Sequence, residues 1–477
     1  MRRVTIYLTR VVCAVVLLSF ASQLIAQPSF KWGFRERLRH TYMNNNMDFN
    51  ADRDDEQGFF RVRTNLWGDV TFTQNLALRV MLTNEFRPYT IVRESDEAAG
   101  KEMTFDEIVF DNLYLSYTTG GENPISVILG RQNLIYGEGF ILLEGAPWDG
   151  SRTIYHDALK ISVKRDDITA DFLAISNPEY DDRLPKINFS EKGGKYLGLP
   201  KNADGDQMLN DGVEEALGFY LTSKPPQGTQ IEGYLFYKTE RPNPVIGYNG
   251  NPAAGPVQPT ERQLRTLYLN TIGGRITQPI TERLNLTTEW AYQAGEQGDD
   301  KISAYGGYAN LSYTIVPKKK GVLTAGINVM SGDDPATEDV EGWNPLFSRW
   351  PKWSELYIYS HTAENIGGAR KVAYWTNTWA PNIKLVMDLF KKVNVTLWLH
   401  NLNSFYAQPD MQNPMMENAA LGKSRGNEIQ LWLKFQFFKG LTGHFLYDYF
   451  IAGDFYPEPR ANASFIRFEL MYAFQSK

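Results

Sequence analysis

Apolar side chains recur at every second position along unusually long stretches of this chain. From Phe60 the even positions read Phe60, Val62, Thr64, Leu66, Gly68, Val70 and Phe72, against Arg61, Arg63, Asn65, Trp67, Asp69 and Thr71 at the odd ones. From Leu76 the pattern is Leu76, Leu78, Val80 and Leu82 against Arg79, Met81, Thr83, Glu85 and Arg87. Near the end, Ile429, Leu431, Leu433, Phe435 and Phe437 oppose Glu428, Gln430, Trp432, Lys434 and Gln436, and Ile466, Phe468, Leu470, Tyr472 and Phe474 oppose Arg467 and Glu469. Period two with one apolar face is a β-strand with different surroundings on its two sides. Strands of soluble proteins run about five or six residues; these run to about ten, enough to cross a bilayer at a tilt.

Hydrocarbon offers no hydrogen-bond partner, so a sheet within it must close on itself. Further strands start near Phe30, Ile108, Ile125, Ala158, Ile168, Ala216, Ile231, Leu264, Leu284, Ala304, Leu323, Ala373, Ile383, Val393 and Leu441. The count is one too many for about eighteen, the even number expected of a single-chain barrel. Connections alternate between tight turns (Thr73-Gln74-Asn75, Arg165-Asp166, Lys439-Gly440) and long polar stretches (Asn177 to Gly212, Thr239 to Gln263, Ser331 to Gly367). The fold expected is therefore all-β: a single transmembrane antiparallel β-barrel with short periplasmic turns and long extracellular loops.

The first residues fit that destination. Arg2, Arg3 and Arg10 precede the apolar run Val11 to Phe20, and Ala21 to Ala26 supply small residues. This reads as a secretory signal over 1–26, cut before Gln27, with the barrel occupying 27–477. The run is too short for a spanning helix, and Cys13 follows Val12 rather than the small residue a lipoprotein signal needs. Cys13 is the single cysteine, so no disulfide is expected in the mature chain. The net charge is −6 overall, and more negative once the three arginines of the signal are gone, which argues against nucleic acid as a partner. A mean hydropathy of −0.38 is compatible with a membrane barrel, because half of each strand faces water.

Parity also sorts the basic residues. Lys31, Arg35, Arg37 and Arg39 share one face of the first strand, opposite Phe30, Trp32, Phe34, Glu36 and Leu38. Arg61 and Arg63 follow on the second strand, and Arg79 and Arg87 on the third. With the apolar set against lipid, three neighbouring strands offer the lumen a basic wall. Rings of Arg and Lys favour anions, and arginine's planar fork suits carboxylates. The competing reading is that these arginines pair with lumen acids, for which Glu85, Asp69, Asp111 and Glu469 are available, and simply stiffen the wall.

Several segments carry a family resemblance. Gly130-Arg131-Gln132, Tyr136-Gly137, Trp148-Asp149 with Arg152, Glu289-Trp290-Ala291-Tyr292-Gln293, Ser331-Gly332-Asp333-Asp334, Trp343-Asn344-Pro345-Leu346-Phe347 and Gly453-Asp454-Phe455 occur in that order. Together they resemble the alginate export (AlgE-like) outer-membrane family. The resemblance implies an eighteen-stranded barrel whose arginine-lined constriction passes an anionic polysaccharide outward. At the matched motif positions it adds Arg131 and Arg152 to the pore-lining candidates.

Other chemistry is sparse. Tyr and Trp at strand ends (Trp67, Tyr89, Tyr117, Tyr237, Trp290, Tyr447) suit interfacial girdles, while the parity of Trp398 and Trp432 points inward, where they could stack on sugars. Asn202, Asp204 and Asp206, and the cluster Asp333, Asp334, Glu338, Asp339 and Glu341, offer oxygens to calcium, but Val213 stands where an EF-hand needs glutamate, so solvated loops are expected. Among His40, His156, His361, His400 and His444, only His156 neighbours an acid, Asp157, and adjacent strand residues face opposite ways. Ser151 and Ser162 lack a nucleophile-elbow context.

The sequence thus describes a passive outer-membrane channel for an anionic polysaccharide or related anions, not an enzyme, with no cofactor or metal. Its expected partners are outer-membrane lipid, the anionic cargo and periplasmic export proteins. A general small-solute porin and a barrel hydrolase are the rival readings.

Overall fold

The computed structural model describes residues 28–476 apart from 47–48, 53–55, 93–106, 145–154, 189–205, 207–208, 211, 226–227, 243–263, 349–353, 355, 357–375, 408–421 and 457. The expected signal and its cleavage point lie outside the described residues.

Eighteen strands form the wall. They are β1 (Ser29–Asn44), β2 (Gln57–Thr71), β3 (Leu76–Phe86), β4 (Glu107–Thr118), β5 (Ile125–Gln132), β6 (His156–Arg165), β7 (Ile168–Asn177), β8 (Gly212–Ser223) and β9 (Gln230–Pro242), then β10 (Leu267–Pro279), β11 (Leu284–Gln297), β12 (Asp300–Val316), β13 (Gly321–Met330), β14 (Thr378–Phe390), β15 (Val393–Asn403), β16 (Ser424–Phe438), β17 (Leu441–Ala452) and β18 (Ala463–Gln475). Each pairs antiparallel with the next. The sheet closes between β1 and β18, from Gly33 opposite Gln475 to Asn44 opposite Ser464. Closure gives both edge strands the partners that lipid would deny them. Every strand start expected from the alternation falls in or beside one of these elements except Ala373, which lies outside the described residues.

The burial pattern is that of a membrane barrel. Large apolar side chains are exposed on the outside, among them Phe30, Leu66, Ile272 and Ile383, and polar ones are buried within. Such an apolar band is a liability in water and a requirement in lipid. Tyr117, Tyr237, Trp290 and Tyr447 lie on this outer surface as girdle residues should. Trp67 and Tyr89 do not. Trp67 shares the inward parity of Arg61 and Arg63 and sits beneath the Arg35 guanidinium, 5.8 Å from its ring centre. Tyr89 packs on the buried Phe59 at 5.7 Å. Proximity to a strand end had suggested the girdle for both, but parity governs Trp67, and Tyr89 lies on a short extra strand, Tyr89–Ile91, that pairs with β2.

Both chain ends of the barrel lie at the end formed by short connections, which include 166–167, 317–320, 391–392 and 439–440. In outer-membrane barrels this is the periplasmic end. Long connections gather at the other end, with one exception, the tight turn at 298–299.

Candidate functional site

The lumen face of β1, β2, β3 and β18 carries a compact ionic cluster. Register sets Arg37 opposite Arg63, and Arg39 opposite Arg61. Like charges directly across a strand pair repel. The flanking strands supply the remedy: Arg63 faces Glu85 of β3 and Arg39 faces Glu469 of β18. Glu85 accepts from Arg37 Nη2 at 2.8 Å and Arg63 Nε at 2.8 Å, and lies 3.4 Å from Arg61 Nε. Arg39 Nε donates to Glu469 at 2.7 Å. The four arginine side chains are only 1–3% exposed. Arg467 and Arg87 lie within electrostatic reach of Glu469 and Glu85, so among the described residues guanidinium groups outnumber these carboxylates.

The remaining pore-lining candidates spread around this cluster. Arg35 is half-buried. Arg79 pairs with Asp69 at 2.9 Å and is the more accessible, at 27%. Arg87 lies over Phe59, 4.8 Å from the ring centre. Arg131 is buried on β5, held by Asp157 at 2.9 Å and Asp181 at 3.1 Å, with its guanidinium 3.6 Å above Tyr155. Arg152 lies outside the described residues.

Two loops fold into the barrel on the opposite side, and they carry the motif residues Tyr136-Gly137, Ser331 to Asp334 and Trp343 to Phe347. The first, after β5, forms a small hairpin between Leu134–Ile135 and Leu143–Glu144. Its Tyr136 packs at a tilt against Tyr220 of β8 with ring centres 4.3 Å apart, and its hydroxyl donates to Asp171 of β7 at 2.6 Å. Burial, then the Asp171 carboxylate, hold the Tyr136 phenol above its ordinary range, so it remains a donor. Gly137 follows with φ of +55°, a conformation glycine adopts at no steric cost. A Cβ there would meet Arg275 of β10 at 3.0 Å.

Below this loop the wall of β9 to β12 carries a second polar network. Arg275 donates to Glu232 at 2.9 Å and to the Tyr308 hydroxyl at 3.1 Å, and Tyr308 and Tyr234 both donate to Glu289.

The second infolded loop follows β13. Both of its ends meet at Ser331, whose carbonyl accepts from the backbone amides of Trp343 and Asn377. Trp343 is 1% exposed, stacked on Phe140 of the first loop at 5.2 Å, and seated on Gly306 of β12. A Cβ at 306 would stand 2.7 Å from the indole. Asn344 exchanges hydrogen bonds with Gln293, and Lys238 donates to the Leu346 carbonyl at 2.6 Å. Leu142 bridges to Phe347, tying the loops together. Further along the same loop, Ser354 donates to Glu428 and the Leu356 amide to Asp448, on β16 and β17. The loop thus touches the wall on both sides of its own root.

The features weighed for other chemistry resolve differently. His156 hydrogen-bonds Asn177 and abuts Phe347, while the neighbouring Asp157 is engaged by Arg131. Asp333 caps the Glu341 amide, and Asp206 pairs with Lys186. No cluster with metal-ligand geometry occurs among the described residues. Trp398 and Trp432 do face inward, as parity indicated, each beside a lysine: Lys384 lies 4.0 Å and Lys434 5.2 Å from the respective ring centres.

A sequence model of the family described as alginate export matches residues 214–467, more than half of the chain. The chain belongs to the alginate export family. The match begins at β8 and takes in the second infolded loop, the Glu289 network and the strands up to Arg467. No curated protein matches the sequence. Among solved structures, Pseudomonas aeruginosa OccK5 (OpdH) is similar with a TM-score of 0.53 at 12% identity, covering 94% of this chain and 99% of that one. Acinetobacter baumannii OccAB4 gives 0.54 at 10%, covering 94% and 98%, and Pseudomonas aeruginosa OccK9 (OpdG) 0.54 at 11%, covering 95% and 100%. At such identities the likeness establishes the fold. Membership of the alginate export family and the closed barrel support an outer-membrane channel.

Sequence reasoning missed Arg275, Lys238 and the tyrosines around Glu289. Their signal was available only as inward parity on β9 to β12, without the loops that give those positions a partner.

Proposed function

We propose that the barrel conducts an anionic polysaccharide, alginate-like, or related carboxylates passively across the outer membrane, with the arginine-rich lumen wall lowering the barrier for negative charge. The observation that carries this reading is the excess of guanidinium over carboxylate on β1 to β3 and β18. Buried charges sit in a lower dielectric and are poorly screened, so their field reaches into the passage without direct contact. Family membership supports the same cargo class. The infolded loops favour a second reading, passage of small anions only, because both narrow the hollow through which a polymer would thread.

Single-channel recording in planar bilayers separates the two. Chloride current blocked by added uronate oligomers supports polysaccharide passage; indifference to them leaves the small-anion porin. Replacing Arg61, Arg63 and Arg79 by Ala is expected to move the reversal potential in a salt gradient toward cation preference. An unchanged potential would remove the basic wall from the explanation.

A further inference from the structure

We propose that the inner rim of the periplasmic mouth, between the turns at 317–320 and 391–392, is a loading site for carboxylate-bearing oligosaccharides. It rests on the anionic-glycan reading above and deepens it. The two turns stand one hairpin apart and present Lys318, Lys319, Lys320, Lys391 and Lys392. Among the described residues, Lys320 is the one of these in an ion pair, with Asp388 at 3.4 Å. From the turns a recess of about 750 Å³ runs across β16 and β17 to Glu469 and Met471 of β18, within the ~300–1,000 Å³ usual for small-molecule sites.

Parity says which way the recess faces. Its walls include Asn394, Lys434, Thr442 and His444, all on the inward set of their strands, so it opens to the lumen mouth rather than to lipid. Above it the inward face continues with Trp432 and Trp398, each beside an ammonium, Lys434 and Lys384. An acidic pyranose asks for that combination: an apolar surface for its ring face and a cation for its carboxylate. The turn lysines are hydrated, mobile point charges suited to capture, unlike the locked arginine forks above. The opposite periplasmic turn at 166–167 is acidic, Asp166 and Asp167, so the mouth attracts anions to one side.

The test is the blocking rate of uronate tetramers added to either side of oriented single channels, in phosphatidylcholine bilayers. K318Q/K319Q/K391Q is expected to lower the periplasmic-side rate about tenfold, the lower range of electrostatic steering, and to leave the extracellular-side rate unchanged. Trp432→Ala is expected to shorten periplasmic-side block events without altering their frequency. Equal periplasmic rates in wild type and the lysine variant overturn the loading site while leaving the channel's cargo intact. Absence of block in the wild type from both sides defeats the anionic-glycan reading and the loading site with it. A lysine effect seen only when phosphatidylglycerol is present would mean that the lysines read lipid headgroups, and would equally defeat the proposal.

Discussion

On β1 to β3 and β18, arginine side chains are 1–3% exposed, with carboxylates from the flanking strands between them. On β14 to β17, apart from the buried Arg425 near the loop end, the inward cations Lys434 and Lys384 are lysines, one exposed and one half-buried, beside tryptophans rather than acids. The side chains suit their settings. A guanidinium can share its five donors among several acceptors in a fixed plane, and is less strongly hydrated, so it tolerates burial; an ammonium prefers water. One wall therefore contributes charge as part of the scaffold and the other presents charge at a surface. A count of basic residues does not distinguish them.

Removing the acid at the centre of the arginine wall is the most severe way to break this contrast. Glu85→Ala leaves Arg37, Arg61 and Arg63 without their shared carboxylate. Stripping one partner from a buried ionic group costs about 3–5 kcal/mol. The urea midpoint of the barrel in lipid vesicles should fall accordingly, whereas Lys434→Gln should stay within about 0.5 kcal/mol of wild type. Equal effects would mean that both walls are merely solvated.

The second-largest effect concerns the constriction. Trp343→Ala removes the indole that joins both infolded loops to Gly306. Truncating a buried Trp costs about 3–5 kcal/mol, here charged to loop docking rather than to the strands. Single-channel conductance should rise while the unfolding midpoint of the barrel holds. Gly306→Ala, which pushes a methyl toward the same ring, should give a smaller rise in the same direction. A conductance fixed in both variants would mean that the narrowest point lies elsewhere.

How much of this was legible beforehand follows from what alternation encodes. Parity records which face of a strand meets lipid, so it assigns Arg37, Arg61 and Arg63 to the face where the structure buries them, with Glu85 and Glu469 among the acids available as partners. It carries nothing about where a loop goes. Tyr136 and Trp343 stood out only as motif residues, and their shared position became visible once the chain folded 133–144 and 331–348 into the lumen. Trp67 shows the converse: its inward parity was plain, but nearness to a strand end suggested lipid. The Lys384 pairing with Trp398 depends on cross-strand register, which no single strand specifies, whereas Lys434 and Trp432 are two residues apart on β16 and only the rotamers that bring them together were hidden.

The smallest expected effect tests how the first loop is held. Tyr136 donates to Asp171 at 2.6 Å, and Lys160 pairs with the same carboxylate at 3.1 Å. Since burial and Asp171 raise the phenol's pKa in the docked loop, docking favours the protonated form. An undocked phenol would ionise near its ordinary value of about 10. The contribution to docking is therefore complete below that pH and declines as pH rises above it. Tyr136→Phe removes the hydrogen bond, at about 1.5–3 kcal/mol for one to a charged group, and with it this alkaline dependence. Conductance of the wild type should climb above about pH 10 more steeply than that of the variant, the lysine contribution being common to both. Parallel profiles would show that the loop is held by its aromatic contacts with Tyr220 and Trp343, leaving the Tyr136–Asp171 hydrogen bond without a part in the constriction.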